Sequence, residues 1–193
     1  MEAFRQSQDR VKSMALIHEE LYKGRGFKGE GFESEGFETL NFSPYLEELA
    51  NNLFLTYRLG NTDISLNMEL EDNLFFNMDT AIPLGIIVNE LVSNYLKHAF
   101  VGRDKGEISI KLQKDETEDC SSTFILSVSY NGIGIPENLA LKDLDSLGMQ
   151  LVTTLVDQLD GEFELKRDNG TEFITRFKVT EKNYQVSVSQ LVE

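Results

Sequence analysis

The sequence predicts an α+β domain, a two-layer sandwich of helices on a mixed, mostly antiparallel sheet. Three observations lead there. From Pro83 to Phe100 the chain runs PLGIIVNELVSNYLKHAF, where Leu84, Ile87, Val88, Leu91, Val92 and Tyr95 recur at three- and four-residue steps, the stripe of a core-facing helix. Elsewhere single residues alternate, as in Ile64, Leu66, Met68 and Leu70 against Ser65, Asn67 and Glu69, the period of a half-buried strand. Asn169-Gly170 between two strand-like runs is the dipeptide of a tight hairpin.

From the start of the chain, residues 2–23 predict a helix with a heptad seam: Phe4, Val11 and His18 are seven apart, as are Met14 and Leu21. Barely three heptads do not make a stable coiled coil alone, so the segment reads as one arm of a bundle and points to self-association. His18 belongs to that seam as a packing residue. GRGFKGEGFESEGFE comes next, with Gly-Phe at 26–27, 31–32 and 36–37, a spacing that fits neither helix nor strand and marks a linker. Ser43 as N-cap and Pro44 as first helical residue open a helix with Leu46, Leu49, Ala50, Leu53, Phe54 and Tyr57 inward, ended by Gly60.

The strand at 64–70 leads to the central helix, with Asp79 as expected cap, and the loop VGRDKG to a strand around Ile108, Ile110 and Leu112. An acidic turn at 115–119 precedes a strand from Phe124 to Ser129. After the irregular NGIGIPENLALKDLDSLG, a third helix carries Leu151, Val152, Leu155, Val156 and Leu159. Asp160-Gly161 turns the chain into a strand at 162–167, and the hairpin returns it through 171–179. Past that point only Val186-Ser187-Val188 shows any alternation. The expected organisation is a helical segment at 1–24, a linker at 25–42, the main domain at 43–180 and a tail at 181–193.

Charge and composition narrow the function. The 193 residues carry 33 Asp and Glu against 18 Lys and Arg, a net charge of −15, which argues against gripping nucleic acid by its phosphates but leaves nucleotides open. The lone Cys120 allows no internal disulfide and no zinc site, which fits a reducing compartment. No apolar run approaches the roughly 20 residues of a spanning helix, and no secretory leader shows at Met1. The expectation is a soluble, cytoplasmic piece whose longer parent has room for a membrane anchor.

Beside the apolar stripe of the central helix, Glu90, Asn94, Lys97 and His98 line up at helical steps. Taken alone this is a polar helix face; as a set it is a carboxylate, a carboxamide, an ammonium and an imidazole suited to a metal-bound phosphate chain. In Asn131-Gly132-Ile133-Gly134-Ile135-Pro136 two glycines one apart allow close backbone approach or a turn, but the third glycine and immediate helix of a dinucleotide-binding turn are missing. Ser146-Leu147-Gly148-Met149-Gln150 sits where a loop becomes a helix, a place for an anion or an ordinary helix start.

None of these is specific singly, but their order is. NELVSNYLKHAF, YNGIGIPE, SLGMQLV and NGTEF resemble, in sequence, the N box and the three glycine boxes of the ATP-binding domain of sensor histidine kinases. That fold, shared with certain chaperones and DNA-repair ATPases, is usually called the Bergerat fold. RVKSMALIHEELY resembles the end of the phosphotransfer region in one histidine-kinase subfamily, making 1–24 a remnant of its dimerisation helix.

The resemblance implies that Asn94 coordinates the Mg²⁺ bridging the ATP phosphates and that Glu90 orients a metal-bound water or acts as base. It implies that Lys97 and His98 meet phosphate and ribose oxygens. Gly132 and Gly134, with Asn131, would shape the adenine side, Gly148 the phosphate lid, and Thr171 would sit by the adenine; residues 137–147 would be the mobile lid. Its implied partners are ATP, the phosphotransfer region of the parent chain, a second copy of the chain and a response regulator, with no nucleic acid. Two departures stand out. Tyr130 replaces the aspartate that accepts the adenine amino hydrogen, a loss of about ten- to a hundredfold in affinity that Tyr130→Asp is expected to recover. Tyr95 replaces a small alanine. The acceptor histidine of the family matches neither His18 nor His98, so this piece is not expected to phosphorylate itself. The competing expectation is a degenerate module that no longer binds nucleotide and serves as an interaction or dimerisation element.

Overall fold

The structure is a computed structural model that describes residues 39–57, 63–115, 123–134, 147–179 and 184–185, together with Gln8, Val11 and Ala15. Apart from those three helical residues, the predicted seam at 2–23, with His18, lies outside the described residues, as do Gly60, Cys120 and the predicted lid up to Ser146.

The elements run β1 (Thr39–Asn41), α1 (Phe42–Tyr57), β2 (Asp63–Leu70), β3 (Phe75–Asn77), α2 (Met78–Asn94), a π-helical turn (Tyr95–Ala99), β4 (Lys105–Lys114), β5 (Thr123–Tyr130), α3 (Leu147–Gln158), β6 (Glu162–Lys166), β7 (Thr171–Lys178) and β8 (Tyr184–Gln185). Five strands form one sheet in the order β2-β4-β5-β7-β6, and a small sheet has the order β1-β3-β8. Among the described residues only β2 and β4 pair in parallel and the other partners are antiparallel, so the expected mixed, mostly antiparallel α+β sandwich is what forms.

Alternation decides which face is core. Across β4, β5 and β7 the rows Ile108–Tyr130–Thr171, Ile110–Val128–Phe173 and Leu112–Leu126–Thr175 lie in register, and every member is buried. The helices cover this side, with α2 packed against both α1 and α3. The other face is polar: Lys111 Nζ lies 2.9 Å from Glu69 Oε2, the Ser127 hydroxyl donates to Glu172, and Arg176 Nε donates to Asp115. Asn169 and Gly170 both take positive φ, 55° and 128°, but Lys166 pairs with Glu172, so residues 167–170 join the strands in a longer connection than the two-residue turn the dipeptide suggests.

Several boundaries depart from the sequence pattern. α1 begins at Phe42, and Ser43 sits inside its first turn, where its hydroxyl donates to the Glu71 carbonyl instead of capping. Pro44 is still tolerated there because a first-turn N–H has no helical partner. α2 begins five residues before Pro83, and its cap is Asn77, whose Oδ1 accepts the Thr80 N–H at 3.1 Å; Asp79 lies in the first turn, where its charge faces the dipole favourably. Residues 39–41, expected in the linker, form β1, and Phe75–Asn77 form β3 opposite it.

Candidate nucleotide-binding site

α2 places its polar residues by helical phase. Glu90 is 1% exposed although it is a carboxylate, and Asn94 lies one turn later. Both face the start of α3: a β-carbon on Gly148 would stand 2.5 Å from Glu90 Oε2 and 3.7 Å from Asn94 Nδ2. Gly148 therefore lets the N-terminal turn of α3 close to within contact of a carboxylate and a carboxamide.

The second half forms where β5 ends. Tyr130 is in register with Thr171, and a side-chain hydrogen bond joins the two. The loop after it is tied down from several sides: Asn131 Oδ1 accepts the Glu107 N–H at 2.8 Å, Arg103 Nη1 donates to the Asn131 carbonyl at 3.0 Å, and the Ile133 N–H donates to the Ala99 carbonyl at 2.9 Å. A β-carbon on Gly132 would run into that same Ala99 carbonyl. Gly134, at φ 73°, abuts the Gly170 carbonyl, and Gly170 lies against the Tyr130 carbonyl. Asn131, Gly132, Gly134, Thr171 and Tyr130 are thus gathered at one place, at the far end of the helical rod that carries Glu90 and Asn94.

Lys97 and His98 follow Asn94 within the π-helical turn. Lys97 Nζ lies over the Tyr57 ring, 4.5 Å from its centroid, a cation–π contact with α1, and His98 is exposed. The π-helical turn contributes to this placement: within it each residue advances by less than the roughly 100° of an α-helix, so Lys97 and His98 lag the phase on which they align with Glu90 and Asn94.

Burial pushes the Tyr130 hydroxyl pKa up, opposed by the Thr171 hydrogen bond. The Tyr95 hydroxyl, fully buried and donating to the Val128 carbonyl, is held well above its ordinary value by burial first and then by Tyr130 and Glu172.

Sequence reasoning does not reach Arg103, Glu107 and Ala99, nor the contact that Tyr57 makes from α1. Backbone groups and a loop such as VGRDKG carry no pattern that marks them, although Arg and Glu flanking a glycine loop are a weak signal. A separate cavity of about 660 Å³ lies at the opposite end of β4, lined by Glu69, Glu71, Lys114, Asp115 and their neighbours. Two of its carboxylates are matched within the protein, Glu71 by the Lys114 backbone N–H at 2.7 Å and Asp115 by Arg176 at 2.8 Å.

The fold class is that of an ATPase family, and the chain belongs to it: the family of histidine kinase-, DNA gyrase B- and HSP90-like ATPases matches residues 79–181. A histidine kinase family also matches residues 1–57, so this is a histidine-kinase-type ATPase domain with part of the preceding region. Among curated proteins the chain is similar to the sensor histidine kinase PdtaS of Mycobacterium tuberculosis, 27% identical over 184 residues, covering 92% of this chain and 33% of that protein. It is also similar to the serine-protein kinase RsbW of Listeria monocytogenes, 27% identical over 125 residues, covering 60% of this chain and 77% of the other. The chain thus spans about a third of the length of PdtaS. Among solved structures, the histidine kinase domain of the blue-light-activated kinase EL346 from Erythrobacter litoralis superposes with a TM-score of 0.75 at 22% identity, covering 92% of this chain and 76% of that one, which establishes the fold.

Among the described residues no helix is long and apolar enough to cross a membrane, and no group of three or more His, Cys, Asp or Glu could hold a metal. A metal here would rest on one or two side-chain oxygens and on a phosphate ligand, which is the habit of Mg²⁺.

Proposed function

We propose that this chain is the nucleotide-binding, catalytic module of a two-component sensor histidine kinase, with Mg-ATP held between α2 and the start of α3. The observation that carries the proposal is the buried Glu90 with Asn94 beside it, both against Gly148. Asn94 offers an amide oxygen to Mg²⁺, Glu90 orients a water or takes a proton, and the N-terminal turn of α3 presents backbone N–H groups to phosphate oxygens. The metal supplies charge neutralisation on the phosphates. Lys97 and His98 serve phosphate and ribose oxygens once Lys97 leaves the Tyr57 ring. Asn131, Gly132, Gly134, Tyr130 and Thr171 form the base end.

In this proposal residues 43–180 are the ATP-binding unit, 25–42 its linker, 1–24 the tail of the phosphotransfer helix and 181–193 a terminal extension. The γ-phosphoryl group goes to a histidine outside these residues and from there to a response regulator, in a cytoplasmic setting. Calorimetry tests the nucleotide step: Mg-ATP binding that requires Mg²⁺ and falls at least about tenfold in Asn94→Ala and in Gly148→Ala is the expected result. Equal heats from all three proteins would sink it. A second reading, an interaction element that holds no nucleotide, draws support from Tyr130, only 7% exposed at the base end; it predicts a melting temperature indifferent to Mg-ATP.

A further inference from the structure

We propose that Tyr95 and Tyr130 act as one aromatic plug over the base end of the site, so that the chain grips a metal-bound triphosphate without discriminating the base attached to it. The inference rests on the nucleotide reading above. The two tyrosines come from different elements, Tyr95 from the first position of the π-helical turn and Tyr130 from the last position of β5. Their ring centroids are 4.2 Å apart, and Phe100 closes a third side at 6.1 Å from Tyr130. A β-carbon at position 132 would meet the Ala99 carbonyl first and then Tyr130 Cδ2 at 2.9 Å, so the Tyr130 ring packs directly against the Gly132 backbone. A planar side chain therefore stands where the nucleotide reading puts a planar base.

Both rings are fastened at their polar ends. The Tyr95 hydroxyl donates to the Val128 carbonyl at 3.3 Å, and the Tyr130 side chain is hydrogen-bonded to that of Thr171, the hydroxyl on which the base end would otherwise depend. A single Tyr130→Asp change leaves the Tyr95 ring in place and sets a carboxylate beside it in a buried position, so one substitution does not clear the pocket. At the phosphate end the contacts to Gly148 come from Glu90 and Asn94, with no aromatic ring among them.

The test is calorimetric titration of the full chain with Mg-ATP, Mg-GTP and Mg-tripolyphosphate, repeated on Tyr130→Asp, Tyr95→Ala, the double variant Tyr95→Ala/Tyr130→Asp, and Tyr95→Phe/Tyr130→Phe. The parent and the double-Phe variant are expected to bind the three ligands within about threefold of one another, each single variant to gain less than about threefold for ATP, and the Ala/Asp double variant to prefer ATP by about thirtyfold or more. A parent that prefers ATP by about tenfold, or full recovery in Tyr130→Asp alone, overturns the plug and leaves the nucleotide reading standing. Failure of both the parent and a folded double variant to bind any of the three removes the nucleotide reading, and the plug with it. Should the double variant not fold, tyrosine-ring NMR on the parent decides: signals of Tyr95 and Tyr130 unmoved by saturating Mg-ATP support the plug, and displaced signals refute it.

Discussion

Phe124 and Tyr130 stand at the two ends of β5, about 20 Å apart at ~3.3 Å per residue, and each anchors an aromatic cluster. Around Phe124 gather Phe76 at 5.1 Å edge-on and Phe177 at 5.8 Å stacked, and Phe42 joins through Phe76 at 5.4 Å. These four are purely apolar, at most 1% exposed, and they bring both sheets and α1 together. Around Tyr130 gather Tyr95 and Phe100, slightly more exposed, with two hydroxyls that each need a partner. The difference teaches where the chain uses its aromatic bulk for cohesion and where it uses it to occupy a recess, since phenylalanine suits the first and a tethered tyrosine the second.

Four experiments would sharpen or break that contrast. Phe76→Ala should cost about 3–5 kcal/mol in denaturant unfolding, because it opens a cavity shared by three rings; Tyr130→Ala should cost about 2 kcal/mol, and equal losses would erase the distinction. Gly170→Ala comes next, at about 2–3 kcal/mol, since φ 128° is glycine territory and the added methyl meets the Tyr130 carbonyl. Third, Tyr95→Phe should cost about 1 kcal/mol at neutral pH through the lost hydrogen bond to Val128. The same variant tests the alkaline limb. Tyr95 and Tyr45 hold their protons more tightly folded than unfolded, so their contribution is complete below the ordinary tyrosine value of 10.0 and is lost as pH climbs above it. Melts across that range should therefore fall less steeply in Tyr95→Phe than in the parent. Last, Lys111→Ala on the polar sheet face should change stability by about 0.5 kcal/mol or less, as an exposed ion pair does.

The Phe124 cluster is the harder one to foresee. Phe42, Phe76 and Phe177 come from segments with no shared periodicity, and β1, β3 and β8 are three, three and two residues long, too short for alternation to register. Asn77 takes the cap that the sequence pattern assigns to Asp79, and asparagine caps equally well. By contrast α2 and the long strands are legible, because each repeats its signal over several residues, and Asn169-Gly170 marks where the hairpin turns though not how long its connection is. At the site, Glu90 and Asn94 lie on the α-helix, whereas Lys97 and His98 fall in the π-helical turn that follows it. Helical phase holds as far as Asn94, and the π-helical turn beyond it has no sequence pattern. That Tyr95 and Tyr130 touch is not legible either, since contact between residues on different elements is a property of the packing.

Among the described residues the five-stranded sheet does not close on itself, leaving β2 and β6 as its borders. β2 begins at Asp63 and carries Glu69, while β6 spells Glu162, Glu164 and Lys166 on alternate positions that are all exposed. A bare border is a template on which another chain can add a strand, and charges along it make such stacking costly. Two copies of this domain approaching border to border at neutral pH meet acidic fringe against acidic fringe, so aggregation by strand addition is resisted by the same −15 charge that makes nucleic acid a poor partner.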